Sequence, residues 1–306
     1  MPNVSRREFV ALAGAVGAAP FVLSRETVRA ASVTAQDVVD RIKQQVGVPW
    51  KAETLDTFKA GDPSTAVTGI VTTASPTLAV LERAAKSGAN LIVTCEPTFY
   101  GRGDKPTPPV RPGGAAAAEA EPPRDAVFAA KDAFITKHRL IIWRFSDHWR
   151  LRTPDPFAQG LRDALGWSTF GSDTEPGRVT VPAIALDDLA SRIKKTLGSR
   201  GGIRVMGEPR TQVRTIGLLP GSTPIQAALR TLPGVDAIVA GEMREWETVE
   251  YVRDVLTTGG KKGLILIGRI VSEEPGMDVC ARWLTKIVPE VRAAAIPAGD
   301  PYWRPR

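Results

Sequence analysis

Histidine is nearly absent: His138 and His148 are the two such residues in a chain of 306. A metal site built mainly from imidazoles is therefore excluded. Cysteine is equally scarce, with Cys95 and Cys280 only and no Cys-x-x-Cys pair, which removes thiol-rich zinc and redox motifs. No Gly-x-Gly-x-x-Gly follows a strand-like run, and no phosphate-loop lysine or Gly-x-Ser-x-Gly occurs. The dinucleotide, nucleotide-triphosphate and serine-hydrolase fingerprints are thus missing. The densest basic stretch, RIKKTLGSRGGIR from Arg192 to Arg204, lacks interleaved aromatics, and half of it reads as a solvated helix face. No nucleic-acid partner is expected.

The most continuous apolar run, VALAGAVGAAPFVL from Val10 to Leu23, is too short for a stop-transfer helix. It follows SRREF and precedes VRA, ending at Ala30. Paired arginines, a short apolar region and a small-residue cleavage site read as an export signal over residues 1–30. The Ser-Arg-Arg-x-Phe pattern resembles a twin-arginine signal. Export by that route implies a periplasmic or extracellular location and no stable membrane insertion after processing. The route carries folded proteins, often with a cofactor, which leans towards a metal or cofactor protein. Cleavage after Ala30 removes four arginines and two glutamates and lowers the net charge from +7 to +5.

What is present is an ordinary globular balance, 43% hydrophobic and 24% charged, at a length that favours two lobes. Residues 31–150 read as an N-terminal α/β lobe, interrupted by a Pro-, Gly- and Ala-rich loop at 101–124 that is expected to be mobile. Residues 151–210 read as a connecting segment and 211–306 as a C-terminal α/β lobe. Thr34 opens a helix whose Val38, Val39, Ile42 and Val46 share one face. VTGIVTT, NLIVT, LIIWRF, VDAIVAG and KGLILIG read as buried strands. SPTLAVLERAAKSG reads as a helix capped by Ser75 and closed by Gly88, and Gly276 to Val288 as the last helix. In LLPGST the Pro-Gly pair reads as a turn into a helix. This alternation predicts an α/β fold of two similar lobes, each a sheet covered by helices, with a site in the cleft between them. Cys280 falls at helical spacing with Met277, Leu284 and Ile287 and reads as a buried hydrophobe. Cys95 is then a lone thiol at a strand end.

Ligands in open α/β sheets sit beyond the carboxyl ends of strands. LIVT is followed there by Cys95 and Glu96, and LIIWRF by Ser146, Asp147 and His148. AIVAG is followed by Glu242, Glu245 and Glu247, and LILIG by Arg269, Glu273 and Glu274. Converging carboxylates repel one another in a low-dielectric cleft unless a cation, either a metal ion or an arginine, stands among them. Each residue also has a plain structural role open to it. Glu96 before Pro97 suits a turn, Asp147 suits a turn cap, and His148 beside Trp149 suits a half-buried imidazole. Glu245 and Glu247 suit a solvated helix face, and Glu273 and Glu274 suit the first turn of the last helix.

The order of these motifs resembles the Nif-three-like dinuclear metal-centre proteins, often labelled GTP cyclohydrolase I type 2 homologues. The matching pieces are GIVTTASPTLAVLERAAKSGANLIVTCEPTFY, LIIWRFSDHWR, VDAIVAGEMREWETVEY, LILIGRIVSEEPGM and IPAGDPYW. The resemblance implies two α/β lobes, a toroidal homo-hexamer, and two divalent ions held by histidines and carboxylates with hydrolytic chemistry on an unsettled small substrate. Cys95 stands where the family's first ligand histidine belongs, and Glu96 matches a branch reading His-Glu-Pro-Thr. Asp147 matches the aspartate after the third strand and Glu273 the late glutamate. Arg269 replaces the late histidine, and Trp246 another. The metal set implied is Cys95, Glu96, Asp147 and Glu273, with Asp147 and Glu273 as the catalytic carboxylates and His148, Arg269 and Glu242 also in the cleft. An arginine stays protonated and has no lone pair to give, so fewer than two ions (zinc, iron or manganese) are expected per chain, and Arg269 is expected to face Asp147 and Glu273.

Two main readings follow. One is an exported metal-dependent hydrolase with a reduced site, whose ion lowers the pKa of a bound water. The other is a non-catalytic binding or scaffold protein in which Arg269 replaces an ion. A metal carrier, or Cys95 as a nucleophile served by His148 as base, are further alternatives.

Overall fold

The computed structural model describes residues 32–101, 104, 126–199 and 202–303. The segment 1–30, expected as an export signal, and nearly all of the 101–124 segment, expected as a mobile loop, lie outside the described residues. Val33–Arg306 form one compact unit, and no helix among the described residues is long and apolar enough to cross a membrane.

The first helix, α1 (Ala35–Gln45), begins as its sequence dictates. Thr34 and Asp37 form a reciprocal capping box, and Val38, Val39 and Ile42 are buried. Strands β1 (Phe58–Ala60) and β2 (Ile70–Thr73) follow, then α2 (Leu78–Lys86). Thr77, rather than Ser75, caps α2, because its Oγ1 reaches the Val80 amide while Ser75 offers its carbonyl to Thr77. Next come β3 (Leu91–Thr94), α3 (Ala126–Lys137), β4 (Ile141–Arg144), α4 (Asp147–Leu151) and α5 (Pro156–Ala164). The second half runs β5 (Arg178–Ala185), α6 (Leu186–Leu197), β6 (Arg204–Met206), β7 (Gln212–Ser222), α7 (Ile225–Thr231) and β8 (Ala237–Glu242). It closes with α8 (Glu250–Thr257), β9 (Gly263–Leu266), α9 (Arg269–Ile287) and β10 (Ala293–Ala295).

Among the described residues there are two five-stranded sheets, in the orders β1-β4-β3-β2-β10 and β5-β7-β8-β9-β6. Each has a parallel consecutive centre, β2-β3-β4 in one and β7-β8-β9 in the other, flanked by an antiparallel edge strand. The expected α/β class and the internal similarity are therefore both present. The segment 151–210, expected as a connector, supplies α5, α6, β5 and β6, and so belongs largely to the second sheet. The first sheet is covered on one face by α1 and α9, through Val38, Ile42, Met277 and Leu284, and on the other by α2 and α3. The second sandwiches between α6, through Leu189 and Ile193, and α7 with α8. Each large side chain so buried contributes about 1.5–3 kcal/mol.

α9 places the site. It starts at Arg269, seven residues before the helix start read from the sequence, and carries Pro275 in its interior. Gly268, at φ +95°, turns the chain directly from β9 into the helix. Arg269 and Glu273 consequently sit one turn apart on one helix face, and Glu274 is not a first-turn acid but accepts the Gly299 amide. Packing overrides the proline signal. Gly160 of α5 lies so close to Pro275 that an added Cβ would come within 2.4 Å of its backbone. α9 packs against β2 and β10 of one sheet and β7 and β8 of the other. The Pro-Gly pair read as a turn instead extends β7 through Gly221.

Candidate metal centre

β3 and α9 bring three donor groups together. Cys95, Glu96 and Glu273 each offer a ligand atom within 4.8 Å of the others, and all three are buried. The thiol lies 3.9 Å from Glu273 Oε2. β3 is buried at all four residues, so its end delivers Cys95 and Glu96 to the interior. Of the four strand ends that carry carboxylates, those of β3 and β9 supply this group, with Glu273 arriving from the second turn of α9.

Two guanidiniums stand among the carboxylates. Arg269 donates to Glu96 Oε1 from Nε at 3.1 Å and from Nη2 at 2.7 Å, and its Nε lies 4.0 Å from Glu273 Oε1. The expected arginine is present, but its main partner is Glu96 rather than Asp147. Arg150, on α4, donates to Glu273 Oε1. Sequence reasoning missed this residue; a basic side chain on a five-residue helix reads as solvated, and only its place after the LIIWRF strand hinted otherwise. The guanidinium also lies over the Phe157 ring at 4.2 Å. Gly221 makes the approach possible. A Cβ there would stand 2.5 Å from Glu273 Oε1 and 2.9 Å from Arg150, and its φ of +84° suits glycine alone.

Burial pushes the Cys95 thiol well above its ordinary range, helped by the Glu273 charge and only partly offset by Arg150. Burial likewise lifts Glu273 to about 7 against the opposing pull of Arg150 and Arg269. Arg269 stays charged. Burial works against its proton, but the charges of Glu96 and Glu273 outweigh that.

Asp147, expected as a ligand and catalytic carboxylate, turns away from this group. Its Oδ2 accepts from Thr54 Oγ1 and the Leu55 amide, both at 2.8 Å. Burial raises its carboxyl, but those two hydrogen bonds bring it below the usual range. His148 is fully buried rather than half-buried. Nε2 accepts the Lys51 amide at 2.9 Å, so the ring carries its proton on Nδ1, 2.7 Å from Asp56. Trp50 stacks on it at 3.7 Å. With both nitrogens committed it serves neither as ligand nor as base for Cys95. Asp56, unremarked in the sequence, also accepts the Ser146, Asp147 and His148 amides and so caps α4 from afar. Trp246 is 73% exposed. Glu242 lines, with Arg204, Gly268, Arg269 and Tyr302, a cavity of about 470 Å³ beside the centre.

The donor chemistry fits one ion and not two. One thiol sulfur and two carboxylates make a three-ligand set suited to a single soft or borderline ion. The two arginines occupy the Oε1 atom of each carboxylate, and Asp147 is elsewhere.

The fold has known relatives. No family model matches the chain, and no curated protein matches it. Among solved structures, the Staphylococcus aureus hypothetical protein SA1388 superposes with TM-score 0.63 at 17% identity, over 89% of this chain and 99% of that one. A Bacillus cereus protein described as related to NIF3 superposes with TM-score 0.63 at 12% identity, over 89% and 99%. The protein ybgI, described as of unknown function, gives 0.62 at 18% identity, over 88% and 99%. The chain has the NIF3 fold. At these identities the likeness speaks for architecture alone.

Proposed function

We propose that this is an exported Nif-three-like protein whose centre binds a small anionic molecule through an arginine–carboxylate cluster that stands where the family places metal ions. The observation that carries this reading is the pairing of both buried carboxylates with guanidiniums, Arg269 on Glu96 and Arg150 on Glu273. With the thiol protonated, the two positive charges balance the two negative ones, so no further cation is required. Protonation of Glu273 near neutral pH leaves the cluster with one net positive charge. Arg269, about one-third exposed, presents that charge to the adjacent cavity, which has the volume of a small-ligand site. A planar guanidinium fork suits a carboxylate or phosphate.

A second reading is favoured by the closeness of the three donors. In it Cys95, Glu96 and Glu273 hold one divalent ion and the protein is a hydrolase. Such an ion, when bound, supplies Lewis acidity and an activated water. Glu273, with its carboxyl near 7, is then the group suited to hold or release a proton.

Elemental analysis of the mature chain, folded in its host and purified without chelators, separates the two. Metal well below one equivalent, together with melting temperatures that rise with small carboxylates or phosphomonoesters, is expected. One or more equivalents of zinc, iron or manganese would sink the first reading in favour of the second. Export and homo-hexamer formation belong to the same proposal and rest on SRREF and on the motif order. Lysines at Arg6 and Arg7 should retain the protein in the cytoplasm, and light scattering of the mature chain should give six copies.

A further inference from the structure

Behind the Cys95–Glu96 turn lies a second charged group that the proposed centre does not use. Lys59 on β1, Arg144 on β4 and Lys131 on α3 converge there, with side chains or whole residues no more than 8% exposed. Among the described residues, Lys59 and Arg144 pair with the carboxylate of Asp104, and Lys131 stands beside them. Asp104 Oδ2 lies 3.5 Å from Lys59 Nζ and 3.3 Å from Arg144 Nη1. Its Oδ1 accepts the successive backbone amides of Thr98 and Phe99. Two consecutive amides with two cationic side chains on one carboxyl group make an anion cradle of the kind proteins use for oxyanions.

The cradle holds more donors than Asp104 uses. The Lys131 ammonium does not reach Asp104 within ion-pair distance; it donates to the Thr98 carbonyl and lies 5.0 Å from the Tyr100 ring centre. The Thr98 hydroxyl, fully buried, has no hydrogen-bond partner among the described residues. A carboxylate offers two oxygens, whereas a phosphate offers three or four and up to two charges. The surplus matches that difference. Burial holds the Lys131 amine down at about 8, with Asp104 only partly restoring it, so the lysine lacks a full counter-charge. A buried polar group left this way is costly unless a partner completes it.

We infer that Lys59, Lys131, Arg144 and the Thr98 and Phe99 amides form an oxyanion-binding site of phosphate type, distinct from the Cys95 centre, in which Asp104 sits as an internal surrogate for the ligand. Arg144 also donates to the Cys95 carbonyl at 3.3 Å, so the site adjoins the turn that carries Cys95 and Glu96.

The test uses the full mature chain and inorganic phosphate as probe. Asp104→Ala removes the carboxylate from the cradle. Calorimetric titration at fixed ionic strength should show phosphate binding at least tenfold tighter than in the unsubstituted protein, and Lys131→Met in the Asp104→Ala background should abolish the gain. An Arg269→Ala background should leave the gain intact, which separates this site from the centre proposed above. A folded Asp104→Ala variant without the gain, or one whose gain survives Lys131→Met, overturns the inference and leaves Asp104 as a structural tie. If Asp104→Ala does not fold, the unsubstituted protein decides. Melting temperature rising with phosphate but not with chloride at equal ionic strength supports the site, and no difference overturns it. Repeating the titration with a phosphomonoester shows whether the oxyanion is taken free or as part of a larger molecule.

Discussion

Arg269 and Glu96 lie 173 residues apart in the chain, yet the guanidinium closes on a single carboxylate oxygen with Nη2 at 2.7 Å. The pair joins the end of β3 to the first residue of α9, and so ties one sheet to the helix shared by both. It also weighs against an incoming cation. A permanent positive charge at this point repels any incoming cation and occupies half of one of the three donor groups. Replacing Arg269 by histidine exchanges that charge for a neutral donor with a lone pair. Arg269→His should raise zinc content from well below one equivalent to about one per chain by elemental analysis. Unchanged content would mean that Arg269 is not what keeps an ion out.

Glu273 makes stability depend on pH in an unusual direction for a carboxylate. Its carboxyl titrates at about 7 in the folded protein against an ordinary 4.5. Between those values the native state keeps a proton that the unfolded chain has released, so stability falls as pH rises from 4.5 to about 7 and levels off beyond. The full effect of this one group is on the order of 3 kcal/mol. Urea denaturation across pH 4.5 to 8 should show the decline, and Glu273→Gln should flatten that part of the curve. A slope equal in the two proteins would contradict the assignment.

The centre was only partly legible in the chain. Cys95 and Glu96 could be found because β3 is a short run, apolar up to its last residue Thr94, and polar residues at the end of such a strand have few roles. Glu273 was found for its place after β9, but its geometry was not, since Pro275 reads as the start of a helix rather than its middle. Close packing at Gly160 and Gly276 against the facing helix decides that point, and such a contact has no local signature. Arg150 and Asp56 escaped because their partners are distant. Glu273 lies 123 residues from Arg150, and the amides that Asp56 caps lie about 90 residues on. The buried parallel strands β2, β3, β4, β8 and β9, by contrast, were readable to within one to three residues, because a strand covered on both faces has no polar alternative.

Asp56 carries a structural burden that is separable from the chemistry of the centre. It accepts three backbone amides at 2.6–2.9 Å, two of them fully buried, and orients the buried His148. Asp56→Ala strands those donors, each worth about 1–3 kcal/mol when buried without a partner. A loss of roughly 3–5 kcal/mol by chemical denaturation is expected, taking the contributions as less than additive. Metal content and anion affinity of the folded fraction should not change. A selective loss of anion binding with stability intact would place Asp56 in the functional machinery instead.

Gly221 tests whether the Arg150–Glu273 pair is the arrangement on which the centre depends. Its backbone sits at φ +84°, and a methyl group there would stand 2.5 Å from Glu273 Oε1 and 2.9 Å from Arg150. Gly221→Ala therefore adds backbone strain to a clash with both partners, and about 2–4 kcal/mol of destabilisation is expected. The ion pair can relieve the clash only by opening, which would leave Glu273 buried with less compensation and drive its carboxyl further upward. Anion affinity should therefore fall along with the melting temperature. Glu273→Gln in the Gly221→Ala background should recover part of the stability, since an amide need not keep the charged contact. Equal losses from Gly221→Ala with and without the glutamate would show that the strain lies in the strand and not in the centre.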